Sequence, residues 1–165
     1  MDLLNIFTNP VLIVPGCAWI IAQVTKAIIN AIVNKKFSFD RLFGDGGMPS
    51  GHSATVTALA FMCGFEADGG FASVEFGLAM IFAIVVMHDA TGVRREAGKH
   101  ARSILNIVEQ LNDYFKEHDD KIKTEKLKVL VGHTPLQVAI GSALGALIAF
   151  VYEIVFNNLL ERFLN

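Results

Sequence analysis

Residues 11–33 read VLIVPGCAWIIAQVTKAIINAIV, and Lys26 is the only charged side chain among them. As a helix rising 1.5 Å per residue, this run reaches about 34 Å, enough to cross a bilayer core about 30 Å thick. The rest of the chain agrees with this membrane reading. Of 165 residues, 53% are hydrophobic and 18% charged. Soluble domains carry about 25% charged residues. The formal net charge of -2 argues against a nucleic-acid binder, which would normally be basic. Met1–Asn5 has no basic stretch, so no cleaved signal peptide is expected. Cys17 and Cys63 sit in apolar segments and are expected to be small core residues with no disulfide partner role.

Three further apolar runs follow. Val138–Phe156 has Glu153 as its only charge, and Gly141 and Gly145 at a spacing that lets another helix approach closely. Ala54–Phe65 and Val74–Met87 are shorter and are separated by Asp68-Gly69-Gly70, a turn signal. They read as a helical hairpin that either spans or is partly re-entrant and buried by its neighbours. No alternating strand pattern appears. The expected class is all-α: a membrane bundle of about four helices (11–33, 50–66, 73–88 and 136–157) in one domain over 1–165. A fifth, amphipathic helix is expected over 98–116, where Ala101, Ile104, Leu105, Val108, Leu111 and Phe115 recur at helical spacing. Packing on the bundle is preferred for it over a lipid-binding role.

If all four helices cross, loops 34–53 and 88–137 share one side. They hold 12 of the 14 Lys and Arg residues. Lys- and Arg-rich loops stay cytoplasmic, which puts both termini outside and these loops inside a bacterial-type plasma membrane.

Ionisable residues next to membrane spans point to function. Here Lys26, Arg41, His52, His88, Asp89, Arg94, Arg95 and His133 gather at this same face. In Gly46-Gly47-Met48-Pro49-Ser50-Gly51-His52-Ser53, Ser50 is a natural N-cap and Gly51 lets a ligand approach the main chain. The positive end of the following helix then suits a phosphate. The plainer reading is an ordinary capped helix. Gly132-His133-Thr134-Pro135 opens the last apolar helix in a similar way. One imidazole can attack phosphorus and a second can protonate the departing alkoxide. Cations around them neutralise the equatorial oxygens. A metal site from His52, His88, Asp89 and His133 fits no familiar ligand spacing, and its cationic neighbours would repel a divalent ion. No cofactor is expected.

Pro49-Ser50-Gly51-His52 resembles the central signature of the type-2 phosphatidic acid phosphatase and vanadium haloperoxidase superfamily. The segments 47–55, His88-Asp89-Ala90 through Gly92-Val93-Arg94-Arg95, and 132–135 resemble its divergent branch of acid phosphatase/vanadium-dependent haloperoxidase-related membrane proteins. The likeness covers about Val11 to Val151. It implies His133 as nucleophile and His52 as general acid, with Ser50, Gly51, Lys26 and Arg41 on the phosphate. Three departures stand out. Lys26 and Arg41 are 15 apart, and Leu42 rather than Pro follows the arginine. Lys126 and Leu127 stand where the family has Ser-Arg. Gln137 replaces an acidic residue four positions after the nucleophile. Either Arg94 or Arg95 and Asp89 take over these roles, with Asp89 orienting His133, or catalysis is lost and a phosphate-binding shell remains.

The implied function is a metal-independent membrane phosphatase acting on a lipid or isoprenyl phosphate or pyrophosphate through a phosphohistidine. Its expected partners are the lipid phosphate and the bilayer, with homo-oligomer formation left open. The alternatives are an inactive head-group binder or scaffold and a small lipid transporter. Haloperoxidase chemistry has only the family resemblance behind it.

Overall fold

Asn9 starts the first long helix by accepting a hydrogen bond from the Val11 amide through its side chain, with Pro10 in the first helical position. In the computed structural model, which describes residues 3–35, 46–114 and 132–159, this helix is α1, Pro10–Asn34. It ends at Lys35 in the left-handed conformation, φ 52°. Four more follow: α2 Gly51–Glu66, α3 Val74–Thr91, α4 Val93–Tyr114 and α5 Pro135–Tyr152. The described residues form an all-α bundle with no strand.

Helix α2 is the centre. It packs against α1, α3 and α5, and none of its residues from Gly51 to Phe65 is exposed. Its contact seams are made of small side chains. Ala18 and Ala22 of α1 meet Ala54 and Ala58 of α2 in one buried cluster. On α5, a Cβ at Gly141 would overlap the Ser50 carbonyl oxygen, and one at Gly145 would overlap the Ala54 carbonyl oxygen. In lipid, helices associate by such close van der Waals contact, because apolar burial contributes little there. These seams also set direction. Val14 packs near Met62 while Gly51 lies beside Gln23, so α1 and α2 are antiparallel. Gly141 and Gly145 meet Ser50 and Ala54 in the same order, so α5 runs parallel to α2.

Among the described residues, three helical stretches are long and apolar enough to cross a membrane: Pro10–Val33, Val74–Tyr114 and Pro135–Phe156. The 16 residues of α2 fall short of that length. Its flanks are closed by protein, which is what permits a short helix at membrane depth. At the end of the bundle away from Ser50, Phe65 lies 5.3 Å from both Phe71 and Phe150, ring centre to ring centre. The 68–70 turn forms as expected, with Gly70 at φ 57°.

Three expectations need correction. Cys17 is exposed on the outer face of α1 rather than buried in a core; its apolar neighbourhood signals a membrane-facing surface. Helix α4 begins at Val93, five residues before the expected start, and only Gly92 separates it from α3. Among the described residues its apolar face is covered only in part, with Ala101, Leu105 and Val108 half-buried. Gly98 is its only buried residue, and Ile104, Ile107 and Leu111 are exposed among the described residues. Amphipathic spacing specifies that a helix has an apolar face, not what covers it.

Candidate functional site

The ends of four helices meet on one side of the bundle, and each is held by a local device. Ser50 caps α2: its hydroxyl oxygen accepts from the Ser53 amide at 3.3 Å and from the Ser53 hydroxyl at 2.9 Å. The Ser50 amide donates to the Gln137 carbonyl of α5 at 3.1 Å. Thr134 caps α5 through a reciprocal box. Its hydroxyl accepts from the Gln137 amide, and the Gln137 side-chain oxygen accepts from the Thr134 amide at 3.0 Å. His133 precedes this cap, and its amide donates to the Ala90 carbonyl near the end of α3 at 2.9 Å. Gly132, at φ 86°, turns the chain into this position. A Cβ there would overlap the Arg95 backbone, so only glycine lets the loop lie on the start of α4.

This framework brings His52 and His133 together. Their ring centres are 6.0 Å apart with planes inclined by 74°. His133 is 3% exposed. It lines a cavity of about 320 Å³ with Arg95, Lys99, Arg102, Thr134 and Gln137. His52 stands against His133 and is half-buried.

Lys26 is buried at 5% exposure. It lies about 13 Å before the C-terminal end of α1, at nine residues from Lys35. Its side-chain stem packs against Gly47, whose φ of 103° favours glycine and where a Cβ would sit 3.3 Å from the Lys26 Cγ. Gly46 and Gly47 separate two clefts: the His133 cavity on one side, and a smaller one of about 160 Å³ on the other, lined by Lys26, Ile29, Val33 and Met48.

The remaining expected site residues divide. Ser50 is fully buried and Gly51 lies beneath Trp19 and Gln23, so both sit inside the α2 cap rather than on a cavity wall. Asp89 and Arg94 form an ion pair of 2.6 Å, with side chains 39% and 44% exposed. Arg95, the neighbour of Arg94, is the one that lines the cavity. His88 is exposed. Arg41, Lys126 and Leu127 lie outside the described residues. Among the described residues, no three His, Cys, Asp or Glu side chains gather as a metal site would require.

Four residues near the site escaped the sequence reading. Trp19 and Gln23 lie over Gly51. They precede Lys26 at helical spacing, and a Gln inside an apolar span was the available signal. Lys99 and Arg102 follow Arg95 by four and seven residues, which places all three on one face of α4.

Residues 7–148 match the model of the Divergent PAP2 family. The chain is also 40% identical over 159 residues to the "Uncharacterized membrane protein YuiD" of Bacillus subtilis (strain 168), covering 93% of this chain and 99% of that protein. No solved structure matches it. A model match over residues 7–148 and a relative that is similar along nearly its whole length show that the chain belongs to the divergent PAP2 family.

Proposed function

We propose that this protein is an integral membrane phosphatase that hydrolyses a lipid or isoprenyl phosphate monoester or pyrophosphate without a metal ion. The observation that carries the reading is the approach of His52 to His133 beside a cavity lined by Arg95, Lys99 and Arg102. An imidazole nitrogen of His133 attacks phosphorus while the bond to the leaving oxygen breaks. His52 in its protonated form gives that oxygen a proton. Water then attacks the phosphohistidine, its proton passes to His52, and phosphate leaves with the nitrogen–phosphorus bond broken. Arg95 and Lys26 supply positive charge on opposite sides of Gly46–Gly47, and Arg41 joins them in the family pattern. Ser50 and Gly51 build the helix start that sets His52 in place. Asp89 acts on this face through Arg94, its ion-pair partner. The Lys- and Arg-rich loops on this face support a cytoplasmic position for it.

The test is a phosphate-release screen over lipid phosphates with purified protein in EDTA. Release that vanadate inhibits and that disappears in His133→Ala supports the reading. Release unchanged in that variant overturns the nucleophile assignment. A cytoplasmic C-terminus, detected by protease access to a tag, overturns the sidedness.

One observation favours a second reading, an inactive head-group binder or scaffold. Gln137 stands where the family has a carboxylate, and its side-chain oxygen is committed to the Thr134 cap. An amide cannot offset the charge of an imidazolium. This reading expects phosphate-lipid binding that needs Arg94 or Arg95, with no turnover of any lipid phosphate.

A further inference from the structure

Helix α1 carries a polar stripe through its apolar length. Trp19, Gln23, Lys26 and Asn30 recur at spacings of four, three and four, which puts them on one face of the helix. The neighbouring Val24, Ile28 and Ile32 are exposed on its outer side. The stripe faces the start of α2 and the segment before it. Trp19 and Gln23 lie over Gly51, Lys26 packs against Gly47, and Lys26 and Asn30 line the 160 Å³ cleft with Gly46 and Met48. From Gln23, α1 runs eleven more residues, about 16 Å, before it ends at Asn34. The start of α2, and with it His52, is therefore sunk well below the end of the first span. A glutamine in a membrane helix ordinarily hydrogen-bonds to a neighbouring helix. Gln23 does not. It is 9% exposed, and its Oε1 is buried with no hydrogen-bond partner among the described residues. A dry amide oxygen at this depth is costly, and water is the partner that offsets the cost.

We propose that this stripe is a water path from the Asn34 end of α1 to the start of α2, separate from the His133 cavity. The cleft at Lys26 and Asn30 is its open outer part. Gln23 is its inner end, closed in this structure, and opens when its carboxamide turns away from Gly51. The ligand it takes is water, delivered beside His52. Only the use of that water to hydrolyse a phosphohistidine rests on the phosphatase reading.

The experiment is cysteine accessibility in the full chain, reconstituted in liposomes with Cys17→Ala and Cys63→Ala as background. A charged, membrane-impermeant methanethiosulfonate is present on both faces, so the outcome does not depend on orientation. Such a reagent is excluded from lipid and reacts with the thiolate, which forms where water reaches the sulfur. Asn30→Cys and Gln23→Cys are expected to react about tenfold faster than Ile28→Cys and Val24→Cys, or more. Val24 adjoins Gln23 at the same depth and is 46% exposed, so exposure alone predicts the opposite order. The proposal is overturned if Gln23→Cys reacts no faster than Val24→Cys. Reaction at Asn30→Cys alone also overturns it, since that leaves an outer cleft that does not reach α2. Thermal melts show which variants are folded. Lys26→Cys gives a second reading of the inner path should Gln23→Cys melt early, and a rate there no higher than at Ile28→Cys likewise overturns the proposal. No turnover is involved: the path stands or falls by these rates, whereas phosphate release in His133→Ala bears on the phosphatase alone.

Discussion

His52 and His133, 81 positions apart in the chain, meet with ring centres 6.0 Å apart and planes inclined by 74°. The first belongs to the first turn of α2 and the second to the residue before the α5 cap. The Ser50 amide bonded to the Gln137 carbonyl ties those two helix starts together. The pair therefore depends on how α2 and α5 dock, and the consequences can be measured.

Replacing either histidine should stop chemistry without unfolding the bundle. His133→Ala leaves its backbone bond to Ala90 intact, and His52→Ala leaves the Ser50 cap intact. Phosphate release should fall to background in the first. It should fall by about 10²–10⁴-fold in the second, the usual contribution of a general acid. Release assays with thermal melts of the same samples check both.

Gln137→Glu should keep the α5 cap, since glutamate serves the same box position. It also restores a carboxylate near the imidazole. Stability is expected to change by less than about 0.5 kcal/mol, with phosphate release increased. Unchanged or reduced release in a folded variant would count against a role for this position in charge compensation. Thr134→Ala, which removes the box, should cost about 1 kcal/mol.

Bulk at the α2–α5 seam should be costly. Gly145→Val places side-chain atoms on the Ala54 carbonyl oxygen, and a loss of about 1–3 kcal/mol or more is expected. Gly16→Ala and Gly77→Ala are controls, because nothing lies within 4 Å of a Cβ at either site. Thermal unfolding in detergent distinguishes them.

Gly132→Ala should separate folding of the bundle from assembly of the site. The positive φ and the overlap with the Arg95 backbone force the His133 loop off α4. Helix content should stay near wild type while phosphate release is lost. Retained release at the wild-type rate would show that this loop contact does not place His133.

The apolar face of α4 should lie in the membrane interface. Nitroxide labels at Ile107 and Leu111, both exposed in the bundle, are expected to be accessible to oxygen dissolved in the bilayer. A label at Glu109, on the opposite face, should instead be accessible to a polar relaxation agent. Equal polarity at all three would place α4 in water.

Much of the architecture was legible along the chain because lipid imposes one dominant rule. A segment such as 11–33 must satisfy its backbone internally, and a helix is the local way to do so. The Ser50 cap was equally local, since it acts on an amide three residues away. The gathering of Lys26, His52 and His133 at one end followed from counting crossings. What could not be read was which faces meet. Alanine and glycine mark a tight seam without naming its partner, so the central position of α2 emerges only when Ala18 and Ala22 meet Ala54 and Ala58, and Gly141 meets Ser50. The same holds for charge. Asp89, Arg94 and Arg95 are near neighbours in sequence, yet helix rotation at Gly92 pairs the first two at the surface and turns the third toward His133. Helix existence, ends and membrane face are set by nearest neighbours and solvent. The cavity, its row of cations and the distance between the imidazoles are set by interhelical packing, which depends on side chains far apart in the chain touching at the same time.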